Sequence, residues 1–357
     1  MLVKTQIFAR MSPDQKHFLV ERFQDIGYCV GFTGDGSNDC GALKNADVGL
    51  SLSEAEASVA APFTSQSKDL SCVLRVIREG RAALVTSFSC FKYMALYSLI
   101  QFTTVSILYA QGNNLGDEQY MYIDLFIIIP IAIFMGQSGP YPTLCRKRPT
   151  ASLVSKQVLT SLIGQILIQA SIQFWIFFWV RSQTSWYQPG TKDDEDEAMF
   201  ASMENTVLFY VGSFQYMIVA FVYNEGPPYR ENMFRNVPFV LTSLFLWGFT
   251  STTLFFEPAW IMSLLELVSI PWEARVYVGS AVLLNFLLSW TCETWVFKRF
   301  AEVIESGWWS LKSRRVSLVL EEGNASMDWH RWTRRQQWKQ KGKIYRLLED
   351  ELEYFSC

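Results

Sequence analysis

Charge is scarce in this chain: only 18% of its 357 residues are Asp, Glu, Lys or Arg, and the net charge is -3. No basic stripe interleaved with aromatics adjoins a soluble fold, which excludes nucleic acid as a partner. Histidine is nearly absent, with His17 and His330 alone. The seven cysteines, Cys29, Cys40, Cys72, Cys90, Cys145, Cys292 and Cys357, include no Cys-x-x-Cys pair, so neither a zinc site nor an iron-sulfur cluster is expected. Their odd number, and the lack of a charged and apolar leader after Met1, argue against a disulfide framework and a cleaved signal peptide and keep the N-terminal part in the cytosol. What the chain has in place of charge is apolar surface: half of its residues are hydrophobic and 15% aromatic, more than an average soluble domain carries.

That surface is gathered into six apolar stretches after Arg81, at about 86–110, 120–138, 157–181, 207–224, 237–256 and 277–297, each near the roughly 20 residues that span hydrocarbon. Arg146, Lys147, Arg148 and Lys156, then Arg230 and Arg235, then Lys298 and Arg299 fall in alternate connections, whereas Asp117, Glu118 and the acidic run from Asp193 to Glu197 fall on the other side. This bias predicts a multi-pass membrane protein in contact with lipid, with an all-α domain of six transmembrane helices over residues 81–298 and both flanks cytosolic. Helical character from about Arg78 to Ala110, roughly 45 to 50 Å at 1.5 Å per residue, exceeds a bilayer core and predicts a projecting stalk. The tail, residues 299–357, mixes Trp308, Trp309, Trp329, Trp332 and Trp338 with charge and reads as an interfacial or short cytosolic helix. Its Asn324-Ala325-Ser326 sequon stays unmodified in the cytosol.

Residues 1–80 follow a different pattern. Ser12 and Pro13 supply a cap and first turn for a helix over Pro13 to Asp25, with Phe18, Leu19 and Phe23 on one side. Tyr28 to Phe32 reads as a buried strand, Asp39 to Asn45 as a short helix and Val48 to Leu52 as a second strand, with Leu2 to Phe8 as a further strand. Alternating strand and helix imply a parallel sheet covered by helices, yet two or three strands make a small one, so this part reads as the remnant of a larger α/β domain.

Between the first strand and the short helix stands Thr33-Gly34-Asp35-Gly36-Ser37-Asn38-Asp39. Gly34 and Gly36 permit tight backbone geometry, Asp35 and Asp39 offer hard oxygen ligands, and Asn38 offers an amide to a phosphate. Mg2+ takes one or two carboxylates and completes its shell from water and phosphate, so Asp35 is the expected ligand and Asp39 its support. A turn rich in Asp, Asn and Gly is the bland alternative, and the full seven-residue string outweighs it.

This string, followed by Ala42-Leu43, resembles the hinge signature of the P-type ATPases, and Ala9-Arg10-Met11-Ser12-Pro13-Asp14-Gln15-Lys16 resembles their segment whose lysine contacts a phosphorylated aspartate. Cys40-Gly41-Ala42-Leu43-Lys44, the run from Val48 to Phe63, Phe91-Lys92-Tyr93-Met94-Ala95-Leu96-Tyr97 and Asn114 to Gln119 resemble the fifth class, subgroup B, the lysosomal and endosomal polyamine transporters. The resemblance implies a HAD-like, Rossmann-like phosphorylation domain joined to membrane helices, with Lys16, Asp35, Asn38 and Asp39 catalytic, Thr33 to Gly36 in the cofactor-binding turn, Mg2+ as cofactor and ATP as co-substrate. It also implies a late endosomal, lysosomal or vacuolar membrane.

Tyr97 and Gln101 share a face of the first span, and Asp124 lies in the outer part of the second. An intramembrane carboxylate marks a transport site by default, and with a ring and an amide it suits an elongated polycation. The alternative is an interfacial Asp beside two interhelical hydrogen bonders. Gln165, Gln169 and Gln173, with Asn285 and Glu293, read as glue between helices. No Asp-Lys-Thr-Gly-Thr segment occurs in the chain, so the phosphoryl-accepting aspartate of the resembled family is absent and the chain alone is expected to be inactive. The leading expectation is the C-terminal part of a polyamine-transporting ATPase, partnered by its N-terminal portion. A catalytically dead regulatory or assembly partner of a complete pump, and an inorganic cation pump of another class, stay open.

Overall fold

The structure, a computed structural model, describes residues 2, 5–53, 56–67, 69–145, 148–150, 152–187, 202–301 and 303. Arg146, Lys147, the acidic run at 193–197, the tail tryptophans and the sequon at Asn324 lie outside the described residues. The chain divides between Ile77 and Arg78 into two compact units.

In the first unit, helix α1 (Pro13–Asp25) starts where the sequence places it. Ser12 Oγ accepts the Gln15 amide while Gln15 Oε1 accepts the Ser12 amide, and Pro13 occupies the first turn. Such a cap contributes about 0.5 to 2 kcal/mol. Strand β1 (Gly31–Gly34), helix α2 (Cys40–Asn45), strand β2 (Val48–Ser51) and strand β3 (Phe63–Thr64) follow. The sheet is parallel, in the order β1-β2-β3, with Gly31 opposite Val48 and Leu50 opposite Phe63.

Two expectations need correction here. The strand foreseen at Tyr28 to Phe32 forms three residues later, because Tyr28 closes α1: Gly27 takes φ 97°, the Tyr28 amide bonds to Phe23 O, and the two rings meet edge to face at 5.8 Å. The apolar start of that run thus serves a left-handed helix terminus. The strand foreseen at Leu2 to Phe8 does not form among the described residues: Leu2 lies in a turn, and Thr5 to Phe8 carry no regular structure. Strands need a neighbour's backbone groups, and the sheet of described residues ends at β1 and β3. The two-residue β3 was missed.

Among the described residues, six helices are long and apolar enough to cross a membrane. The first is α3 (Ser71–Tyr109), one helix of 39 residues that begins before Arg78, about 58 Å long. The second, Asp117–Met135, combines α4 (Asp117–Met121), a π-helical segment (Tyr122–Ile128) and α5 (Ile129–Met135). Pro130 has no amide hydrogen and its ring crowds the preceding turn, and the ladder upstream widens so that the Ile129 amide reaches Asp124 O. The third is α6 (Lys156–Ser182), the fourth α7 (Met203–Tyr223) and the fifth α8 (Val237–Phe256). After the short α9 (Ala259–Leu264), the sixth span, Trp272–Ala301, comprises α10 (Trp272–Thr291), a second π-helical segment (Cys292–Val296) and a last helical turn.

Helix α7 is the central post: 94% of its apolar window is buried, against 28% to 39% in the other five. It packs against α6, α8 and α10. The connection after it ties down the end of the second span, whose last carbonyls lack intrahelical donors. There the fully buried Arg230 donates to Met135 O at 2.7 Å and Asn236 to Phe134 O at 2.7 Å. Lys92 of α3 reaches the same connection through Glu225 at 2.6 Å, with its ammonium 4.7 Å from the Tyr223 ring centre.

Lipid tails give no hydrophobic drive between helices, so close packing must hold them. Gly164 provides one such contact, since a Cβ there would overlap the Phe297 ring of the sixth span. Gly164→Leu is expected to lower stability by about 1 to 3 kcal/mol through overpacking, with Phe297→Ala restoring part of it. Melting temperatures of the variants in lipid nanodiscs check this, and an unchanged value for Gly164→Leu would refute the contact.

Candidate functional site

The expected site residues fall into two groups, one in each unit. In the first unit, β1 delivers Thr33 and Gly34 to the turn, and a short 3-10 turn, Ser37–Asp39, leads into α2. Gly34 is required by space: a Cβ would lie 2.6 Å from Asp39 Cβ and Oδ2. Asp39 is buried, and its Oδ1 accepts from Lys16 Nζ of α1 at 2.7 Å. Gly36 is half-buried, whereas Asp35 and Asn38 are exposed.

Asp35 has no hydrogen bond or ion pair among the described residues, so its oxygens are available to a ligand. No group of three or more His, Cys, Asp or Glu side chains arranged for a metal occurs among the described residues. A cation held here takes most of its shell from water and phosphate, a donor set that fits Mg2+.

In the membrane unit, Tyr97 Oη of α3 donates to Asp124 Oδ1 in the π-helical segment at 2.5 Å. Asp124 is exposed and has no basic partner among the described residues. Gln101 lies one turn from Tyr97, half-buried, with no hydrogen bond among the described residues. The structure therefore brings Tyr97 and Asp124 together and leaves the Gln101 amide beside them open.

One neighbour escaped the sequence reading. Tyr216 of α7 meets the Tyr97 ring edge to face, with centroids 5.5 Å apart. It is almost wholly buried. No local signal distinguishes it within α7, which is buried on every side, because helical period carries no information where every face is covered.

The glutamine stripe bonds between helices as its spacing suggests. Gln165 and Gln169 reach Ser289 of α10, and Gln173 reaches Gln215 of α7 and Thr104 of α3.

Comparison with known proteins identifies the family of the chain. The family described as cation transporting ATPase, C-terminus, matches residues 118–296. The chain is 54% identical over 243 residues to the vacuolar cation-transporting ATPase YPK9 of Saccharomyces cerevisiae, a match covering 68% of this chain and 16% of that protein. It is 41% identical over 314 residues to the human polyamine-transporting ATPase 13A3, covering 82% and 26%. It is 48% identical over 270 residues to the mouse polyamine-transporting ATPase 13A2, covering 76% and 23%. The chain thus spans about a quarter or less of the length of these curated relatives. It belongs to the P-type cation-transporting ATPases, as the C-terminal membrane portion of a member of their fifth class, subgroup B.

Proposed function

We propose that this chain supplies one side of the transport site, and the last part of the phosphorylation domain, of an ATPase that moves a polyamine across a vacuolar or lysosomal membrane. The observation that carries the reading is the Tyr97 to Asp124 hydrogen bond between two membrane-crossing helices. A carboxylate in hydrocarbon is costly unless paired or wet, and Asp124 has no basic partner among the described residues. An ammonium group of a polyamine provides that partner. The Tyr97 ring adds a cation-π surface and the Gln101 amide an acceptor for a second N–H. The names of the relatives 13A2 and 13A3 support polyamine as the substrate class, and that of YPK9 a vacuolar membrane.

In this reading the three-stranded parallel sheet is the edge of a HAD-like domain, with its N-terminal unit cytosolic, and the aspartate that accepts the phosphoryl group of ATP lies in a part of the protein outside this chain. Asp35 holds Mg2+, which neutralises phosphate charge during transfer and hydrolysis. Lys16 stands ready to meet the same phosphate from α1, its charge balanced meanwhile by Asp39.

In the full-length pump, Asp124→Asn is expected to abolish stimulation of ATP hydrolysis by spermine or spermidine while phosphoenzyme still forms. Retained stimulation would sink the assignment. Tyr97→Phe removes one hydrogen bond and is expected to raise the half-saturating polyamine concentration about 5-fold, matching a net bond of about 1 kcal/mol. A separate measurement addresses the turn: Asp35→Asn should raise the Mg2+ concentration needed for half-maximal phosphoenzyme formation, and an unaltered Mg2+ dependence would remove Asp35 as the ligand.

A further inference from the structure

Glu293 is a second carboxylate placed inside a membrane-crossing helix, and like Asp124 it sits in a π-helical segment. Its Oε1 accepts from Ser161 Oγ at 2.7 Å and its Oε2 from Gln165 Nε2 at 3.3 Å, both from α6. It makes no ion pair among the described residues. Gln165 also donates to Ser289 O at 3.0 Å, yet its own Oε1 is buried without a partner, in a side chain with no exposed surface. From α7, Tyr223 Oη approaches Ser161 O at 3.5 Å. It is the titratable group that α7 turns toward Glu293, while Ser161 and Gln165 of α6 do not titrate.

Two neutral donors leave the charge of a carboxylate uncompensated, and an unpartnered amide oxygen in hydrocarbon adds a further cost. Both deficits call for the same thing, a positive ligand among oxygen atoms. One carboxylate with neutral oxygens suits a single positive charge. A divalent ion such as Ca2+ takes six to eight oxygens and usually more carboxylates, and no such acidic group exists among the described residues.

We propose that Glu293, Gln165 and Ser161 form a binding site for a small monovalent cation, K+, Na+ or a proton, separate from the Tyr97 and Asp124 pair. The site lies at the end of the membrane unit marked by Lys156, Tyr223 and Lys298, where α6 begins, α7 ends and the sixth span ends. A hydrogen-bonded seam leads from it into the bundle. Gln169 donates to Ser289 Oγ at 2.9 Å and accepts from Asn285 at 2.9 Å, Gln215 donates to Gln169 O at 3.0 Å, and Gln173 bridges Gln215 and Thr104 at 2.8 and 2.9 Å. Thr104 shares a helix face with Tyr97 and Gln101, so the seam ends on the helix that carries them.

The site requires no assumption about Asp124, and its test needs no transport. The whole chain in neutral-lipid nanodiscs is melted while KCl or NaCl replaces N-methylglucamine chloride at constant ionic strength. Wild type and Asp124→Asn are expected to gain melting temperature saturably with K+ or Na+. Glu293→Gln is expected to lose the response, and Ser161→Ala to need about 5-fold more cation for the loss of one hydrogen bond of about 1 kcal/mol. Should Glu293→Gln fail to fold, Ser161→Ala gives the reading. A melting temperature that ignores both metals but varies with pH, and stops doing so in Glu293→Gln, makes the proton the occupant. Identical responses of wild type, Glu293→Gln and Ser161→Ala to metals and to pH would overturn the proposal.

Discussion

Hydrocarbon offers no hydrogen bonds, and that constraint organises the membrane unit from the fourth span outward. Every polar side chain placed in the bundle must find its partner on another helix or on its own backbone. Helix α7, nearly all of it buried, meets the demand from the centre: Gln215 joins α6, Tyr210 donates to Thr253 O of α8, and Gly212 lies close to Thr104 of α3. The peripheral helices, each buried over only 28% to 39% of its apolar window, turn Leu, Phe and Ile outward and their few amides and hydroxyls inward. A charge that this arrangement leaves uncompensated is therefore the informative feature, and Asp124, exposed and bonded to Tyr97 but without a basic partner among the described residues, is the plainest.

The two spans that carry Tyr97 and Asp124 are also tied at one end by a single connection, 224–236. Its Glu225 holds Lys92 on α3, and its Arg230 and Asn236 hold the last carbonyls of the second span. Burial alone pushes the Arg230 guanidinium down from its usual value, while Cys90 and Glu225 nearby oppose that shift. A buried cation whose partner is a backbone carbonyl fixes that helix end firmly, because releasing it strands the charge. The pair of residues proposed to meet substrate thus stands on two helices whose ends share one anchor.

The sequence revealed most where one rule dominated. Length and apolarity located the six candidate membrane spans among the described residues, and the Ser12 cap with Pro13 in the first turn placed the start of α1. It revealed least where two rules competed. Tyr28 is apolar enough for a strand, but the left-handed turn at Gly27 and the Phe23 ring recruit it to close a helix. Leu2 to Phe8 has strand composition, yet its described residues pair with no strand of the sheet. In the site, Tyr97 and Asp124 were legible as a helical face and an intramembrane charge, and the Lys16 to Asp39 ion pair brings together two residues that motif resemblance alone had grouped. Tyr216 was illegible, since nothing in a helix buried on every side says which tyrosine faces the site.

The widened turns in the second and sixth spans have a consequence for counting. An α-helix advances 100° per residue, and a π turn spends one residue more on each revolution. Residues beyond Ile128 are therefore out of phase with those before Tyr122 by about one residue's rotation, and a helical wheel drawn at 3.6 residues per turn across the whole span misassigns their faces. Which way Asp124 points is set by the tally of residues between Tyr122 and Ile128 as much as by the side chains themselves. Loss of a single residue between Asp124 and Ile128 would swing the carboxylate about 100° relative to α5 at the far end of its span without altering its chemistry.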